Sequence, residues 1–431
     1  MSDTPAAAAT HPLRVPRYRR YWFAQMMVDF GQFATVMVLG WQTYDTARIT
    51  MSTERASLML GILGLVQFVP LAACAPVAGW VVDRQDRRLV ALWALLTQLA
   101  CVATLGAATI SGFVSLPLLF GVGFAFGAAR SFGMPAKQSI TPNLVPADVL
   151  PSAIALTSMS MQIGVIAGPT MGGLLYGVSP ELPHVVIATM QVVGAVLLFS
   201  VGPVTGHRSL RGPGTPWQQM SEGFRYVRRN RIVLGATSLD LFAVMMGGAT
   251  AMLPVFARDV LHVGSEGLGV LRAAPAVGAV VMGVALARRP VSRRVGAWMF
   301  VSVAVFGVAT MGFGLSRELW LSLACLFVMG AADMVSMYVR GSLIQLSTPD
   351  EMRGRVGAVA ALFISGSNEL GEAESGLLGA LIGPVAAVVL GGAAAVAIAA
   401  GWARLFPELR RADRFTDTPL VRPDAPGGAA G

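Results

Sequence analysis

Charge is scarce in this chain. Asp, Glu, Lys and Arg make up 13% of its 431 residues, against roughly 25% in an ordinary soluble domain. A single soluble core stops growing at about 250–300 residues, so a soluble chain of this length needs far more charged surface to cover its domains. Lysine is rarer still, with Lys137 the only one. No Gly-Lys-Ser/Thr phosphate loop can be written, which excludes an ATP-driven pump within the chain. Cys74, Cys101 and Cys325 lie in apolar stretches and match neither a metal knuckle nor a disulfide framework. They read as small packing residues. The four histidines, His11, His184, His207 and His262, fall in the N-terminal tail or near loop edges and read as solvated. No His-Glu-x-x-His, Gly-x-Ser-x-Gly or His/Cys cluster occurs, so the chain reads as a non-enzyme without metal or other cofactor.

What is abundant is apolar sequence, 55% of the residues. A hydrocarbon core about 30 Å thick demands about 20 apolar residues of a helix. Twelve such segments are predicted, at 21–46, 57–82, 89–111, 115–137, 152–177, 183–204, 232–256, 266–288, 295–315, 318–340, 355–382 and 384–404. The fold class is an all-α membrane protein. The first run is too long for a signal-peptide core and has no small-residue cleavage site. The net charge of +9 does not require a nucleic-acid partner. With a cytoplasmic N-terminus, only Arg48, Arg55, Arg258 and Arg317 fall in outside loops, which is the positive-inside rule.

Residues 1–15 read as a disordered N-terminal tail and 406–431 as a cytoplasmic C-terminal tail, neither able to bury enough apolar surface to order itself. Between them stand two six-helix bundles, 16–204 and 232–405, joined by a cytoplasmic linker at 205–231. The linker interleaves Trp217, Phe224, Tyr226 and Val227 with Arg225, Arg228, Arg229 and Arg231, the pattern of an amphipathic helix against anionic lipid. The halves repeat each other. Asp29 matches Asp240, Gln67-Phe-Val-Pro70 matches Arg272-Ala-Ala-Pro275, and Gln138-Ser-Ile-Thr141-Pro142 matches Gln345-Leu-Ser-Thr348-Pro349. Two pseudo-symmetric halves are what alternating-access carriers use.

After the second span comes Gly79-Trp-Val-Val-Asp83-Arg84-Gln-Asp86-Arg87-Arg88. The glycine suits close helix approach, and the acids and bases suit pairing across the inside ends of neighbouring helices. This run resembles the cytoplasmic signature of the major facilitator superfamily, and its Asp-Arg-x-Asp-Arg-Arg form is similar to the branch of siderophore and macrolide exporters. The fifth span carries Gly164, Gly168, Pro169, Gly172 and Gly173, small residues that let helices pack backbone to backbone. This is similar to the motif of the drug:proton antiporters in that superfamily. Arg130 fits the intramembrane arginine of the family's fourth helix. The resemblance covers about residues 17–405 and implies a monomeric secondary transporter of the bacterial inner membrane with both termini cytoplasmic.

A charge at the centre of a membrane helix costs about 2.5–3.5 kcal/mol on insertion scales, so those that persist are functional candidates. Asp29, Arg130, Asp240, Arg272, Asp333, Glu369, Glu372 and Glu374 lie within the predicted spans. Desolvation disfavours a bare carboxylate, so Asp29 is a candidate proton carrier. Glu369 and Glu372 share a helix face and are expected to point toward the cavity, Glu374 elsewhere. Taken together, these features point to a proton-coupled exporter of an amphipathic small molecule such as a siderophore or drug. An uptake symporter of the same fold and a non-transporting membrane sensor are the alternatives.

Overall fold

The computed structural model describes residues 11–146, 149–204 and 216–414. It is helical throughout. Along the chain run α1 (Pro16–Thr50), α2 (Thr53–Arg84), α3 (Arg87–Ser111), α4 (Leu116–Ile140), α5 (Leu150–Val178), α6 (Leu182–Ser200) and α7 (Pro216–Arg229). There follow α8 (Arg231–Met246), α9 (Leu253–Val255), α10 (Gly264–Arg288), α11 (Val295–Leu315), α12 (Leu319–Leu346), α13 (Asp350–Ile382), α14 (Pro384–Leu405) and α15 (Pro407–Arg411). Proline opens α1, α4, α5, α6 and α14 in the first turn, where its missing N–H is not needed and its fixed φ suits the helix. α3 stops at Gly112, whose φ of +70° lets its N–H reach the last carbonyls.

Eleven helical stretches among the described residues are long and apolar enough to cross a membrane. The remaining predicted span, the eleventh at 355–382, is α13, which is 33 residues long. Its acids Glu369, Glu372 and Glu374 keep it below the hydropathy of the others. The seventh predicted span is not one helix: α8 ends at Gly247 and continues through a 3-10 turn, α9 and a π-turn to Val260. Gly248 causes the break to pack, since a methyl group there would stand 2.5 Å from the Gly371 carbonyl.

The described residues divide into two compact units. The first takes the chain up to Ser52, Ile62–Arg211 and His262–Ala273; the second takes Thr53–Gly61, Gly212–Leu261 and Ala274 onward. In the second unit the first turns of α2 lie on α13, where a Cβ on Gly61 would be 3.0 Å from Gly376 Cα. In the first unit the start of α10 lies on α5, where a Cβ on Gly173 would be 3.0 Å from Gly269 Cα. Glycine removes the side chain that would hold these backbones apart.

Three expectations change. The tail to residue 15 is in part packed, because Pro12–Arg14 forms a short 3-10 turn with Pro12 buried; residues 1–10, 205–215 and 415–431 lie outside the described residues. α7 is amphipathic, and part of its apolar side is covered by protein while Phe224 stays exposed; the Trp217 side chain lies outside the described residues. Met220, Tyr226 and Val227 pack on Ile344, Met352, Val356 and Val359 of the second unit, and Glu222 pairs with Arg355 at 2.5 Å. Arg225, Arg228 and Arg229 stay exposed. His184 is buried rather than solvated. Pro183 starts α6, and the ring turns inward over Gly106 to within 3.2 Å of Gln42 Nε2 and 3.4 Å of Thr109 Oγ1.

Candidate functional site

Gln25, Asp29 and Gln32 recur at i, i+4 and i+7 on α1 and therefore share one face. All three are buried. Gln25 Nε2 donates to both carboxylate oxygens of Asp29 at 2.9 Å. From α4, Lys137 Nζ donates to Asp29 Oδ1 at 3.0 Å. Tyr21 Oη closes the arrangement by donating to the Lys137 carbonyl at 2.8 Å. A cavity of about 320 Å³ opens beside this pair. Its wall combines Phe33, Met134, Ile154 and Met161 with Gln25, Gln32, Thr157 and Ser158. Such a wall suits a molecule with an apolar body and a few polar groups.

The small residues of α5 set the position of Asp29. A methyl group on Gly164 would stand 2.9 Å from Asp29 Cβ, one on Gly168 2.9 Å from the Phe30 carbonyl, and one on Gly172 3.3 Å from the Ala34 carbonyl. The i, i+4, i+8 spacing is thus a groove into which α1 settles. Gly173 faces the other way, onto Ser265 and Gly269, and the Pro169 carbonyl abuts Gly269.

The second unit holds a related ion pair. Asp240 on α8 pairs with Arg340 on α12, and both are buried. Relative to the Gln138 and Gln345 motifs, which are 207 residues apart, the acids are offset by four residues more and the bases by four residues fewer, about one helical turn each way. Asp333, two turns before Arg340 on α12, makes no hydrogen bond or ion pair among the described residues. Arg130 is half-buried in α4 and has interactions of its own, as do Arg272 and Glu372. Glu374 accepts from Ser375 Oγ at 3.4 Å. The side chain of Glu369 lies outside the described residues. The helix face shared by Glu372 and Gly376 meets α2 at Gly376, so there it is a packing surface rather than a cavity wall.

The charged loop between α2 and α3 works through helix ends. Asp86 caps α3 by accepting from Arg88 N at 2.9 Å, and it also accepts from Val204 N at 3.1 Å. Arg87 donates to the Ser139 carbonyl at 3.2 Å and Arg88 to the Phe199 carbonyl at 3.0 Å. These are the C-terminal ends of α4 and α6, where cations complement the helix dipole. Arg84 lies over the Trp80 ring at 4.1 Å. Gly79 departs from expectation: a methyl group there meets nothing within 4 Å, so no close helix approach depends on it. The Asp83 side chain lies outside the described residues.

Sequence reasoning missed Lys137 and Arg340. Both were placed at the ends of their spans, at 137 and 340, but α4 runs on to Ile140 and α12 to Leu346, which brings both bases inside. The available signal was that Lys137 sits one residue, and Arg340 five residues, before the motif repeated in both halves.

The chain matches, over residues 7–426, the family described as transmembrane secretion effector. The enterobactin exporter EntS of Citrobacter koseri is 27% identical over 386 residues, covering 88% of this chain and 89% of that protein. That of Shigella boydii is 28% identical over 379 residues, covering 86% and 87%. Among solved structures, a bacterial homologue of the human lysosomal transporter Spinster aligns with a TM-score of 0.71 at 14% identity, over 93% of this chain and 99% of that one. The D-xylose-proton symporter aligns with a TM-score of 0.64 at 14% identity, over 92% and 99%. At these identities the two structures speak for the fold.

Proposed function

Because the chain belongs to the transmembrane secretion effector family of the major facilitator superfamily, we propose that it moves an amphipathic small molecule out across the bacterial inner membrane in exchange for protons. The observation that carries this reading is the cavity beside Asp29 and Lys137, whose wall offers apolar side chains, amides, hydroxyls and one ion pair together. The enterobactin exporters that resemble the chain along most of its length support an outward direction, and both termini are cytoplasmic in this reading.

The acids divide by their partners. Asp29 and Asp240 are each neutralised by a base. Asp333 has no such partner among the described residues, and a proton is the neutralising partner that the membrane interior favours for it. Asp333 therefore takes the proton-carrying role that the sequence suggested for Asp29. Everted vesicles energised to an acidic lumen test the whole reading: they accumulate amphipathic solutes, and they lose the gradient-driven part when Asp333 becomes Asn. Flux that is indifferent to the pH gradient in the wild type rules out proton exchange.

A further inference from the structure

Lys137 is the only lysine of the chain, and it stands in the wall of a cavity within helical membrane sequence. Its ammonium carries three N–H donors, and the one hydrogen bond it makes to a side chain among the described residues is to Asp29 Oδ1. The lysine is the more accessible member of the pair, with 18% of its side chain exposed against 3% for Asp29. The carboxylate is the more enclosed of the two. The remaining polar groups of the wall, Gln32, Gln138, Thr157 and Ser158 among them, are uncharged. The ion pair of the second unit differs in kind, because both side chains of Asp240 and Arg340 are nearly inaccessible, at 7% and 5%.

Resting on the reading that this cavity holds the exported solute, we propose that Lys137 is its recognition residue, donating charge-assisted hydrogen bonds to an anionic oxygen group, such as a carboxylate, sulfonate or phenolate, on an otherwise apolar molecule. Asp29 and Gln25 are positioning residues: they hold the ammonium at the wall and keep the empty site neutral overall. A lysine fits this task better than an arginine. A compact ammonium with rotatable donors accepts many oxygen geometries, whereas the guanidinium fork selects planar bidentate partners. Breadth toward the anion and demand for an apolar body are then both written into one wall.

The matched probes 1-naphthoate and 1-naphthamide, titrated calorimetrically into the purified full chain in nanodiscs, test this. The wild type is expected to prefer the carboxylate by at least about tenfold, the worth of a hydrogen bond to a charged group. Lys137→Gln abolishes that preference and Lys137→Arg keeps part of it. The double variant Asp29→Asn/Lys137→Gln removes both charges at once and so leaves no unpaired buried carboxylate to unfold the protein; it too loses the preference. A preference that persists in the folded double variant overturns the assignment, as does a wild type without one. Binding of naphthoate through Lys137 with no accumulation in everted vesicles upholds the anion site and overturns the export reading instead.

Discussion

Asp29 and Lys137, 108 residues apart in the chain, meet at 3.0 Å between α1 and α4. Removing one partner of a buried pair leaves an uncompensated charge, at a cost of about 3–5 kcal/mol, while replacing both together costs far less. Lys137→Met is thus expected to lower the melting temperature of the purified protein markedly. Adding Asn at position 29 should recover most of the loss. Equal melting of the single and double variants would show that the pair does not form.

The glycines give a second contrast. Gly164→Ala places a methyl group 2.9 Å from Asp29 Cβ and 3.0 Å from the Asp29 backbone carbonyl carbon, an overpacking worth about 1–3 kcal/mol. Gly79→Ala meets open space and gains about 0.5–1 kcal/mol of helix propensity. Thermal unfolding in detergent separates the two, and the order of their stabilities is the measurement that matters.

Asp86 serves two backbone amides, Arg88 N and Val204 N. Asp86→Ala should cost about 0.5–2 kcal/mol as a lost helix cap, and it also frees the chain that leaves α6. Hydrogen exchange is expected to quicken both at the start of α3 and around Val204. Quickening at α3 alone would mean that the second bond contributes nothing.

Asp333→Asn is expected to abolish solute movement driven by a pH gradient while leaving solute-for-solute exchange in proteoliposomes intact. Asp240→Asn, which unpairs buried Arg340, should instead reduce the amount of folded protein in the membrane. The same pattern from both variants, on flux and on abundance, would remove the distinction between them.

The membrane class and the number of long helices were legible in the sequence, because hydrophobic length and intramembrane charge carry costs that each segment bears locally. The glycines of α5 stood out for the same reason, as a short run whose spacing has a meaning of its own, whereas Gly79 of the charged loop, expected at a close helix approach, meets nothing within 4 Å. Gly164 was recognised as a packing residue, yet only the folded chain shows that it packs on Asp29. Which acids are neutralised was not legible. Asp29, Asp240 and Asp333 look alike as isolated carboxyls in apolar helices, and the difference between them lies in bases that helix geometry brings from elsewhere in the chain. The burial of His184, the partial covering of α7 and the placing of Lys137 in a cavity wall have the same origin. Local sequence sets what a helix must bury, and only packing between distant helices decides what each buried group is buried against.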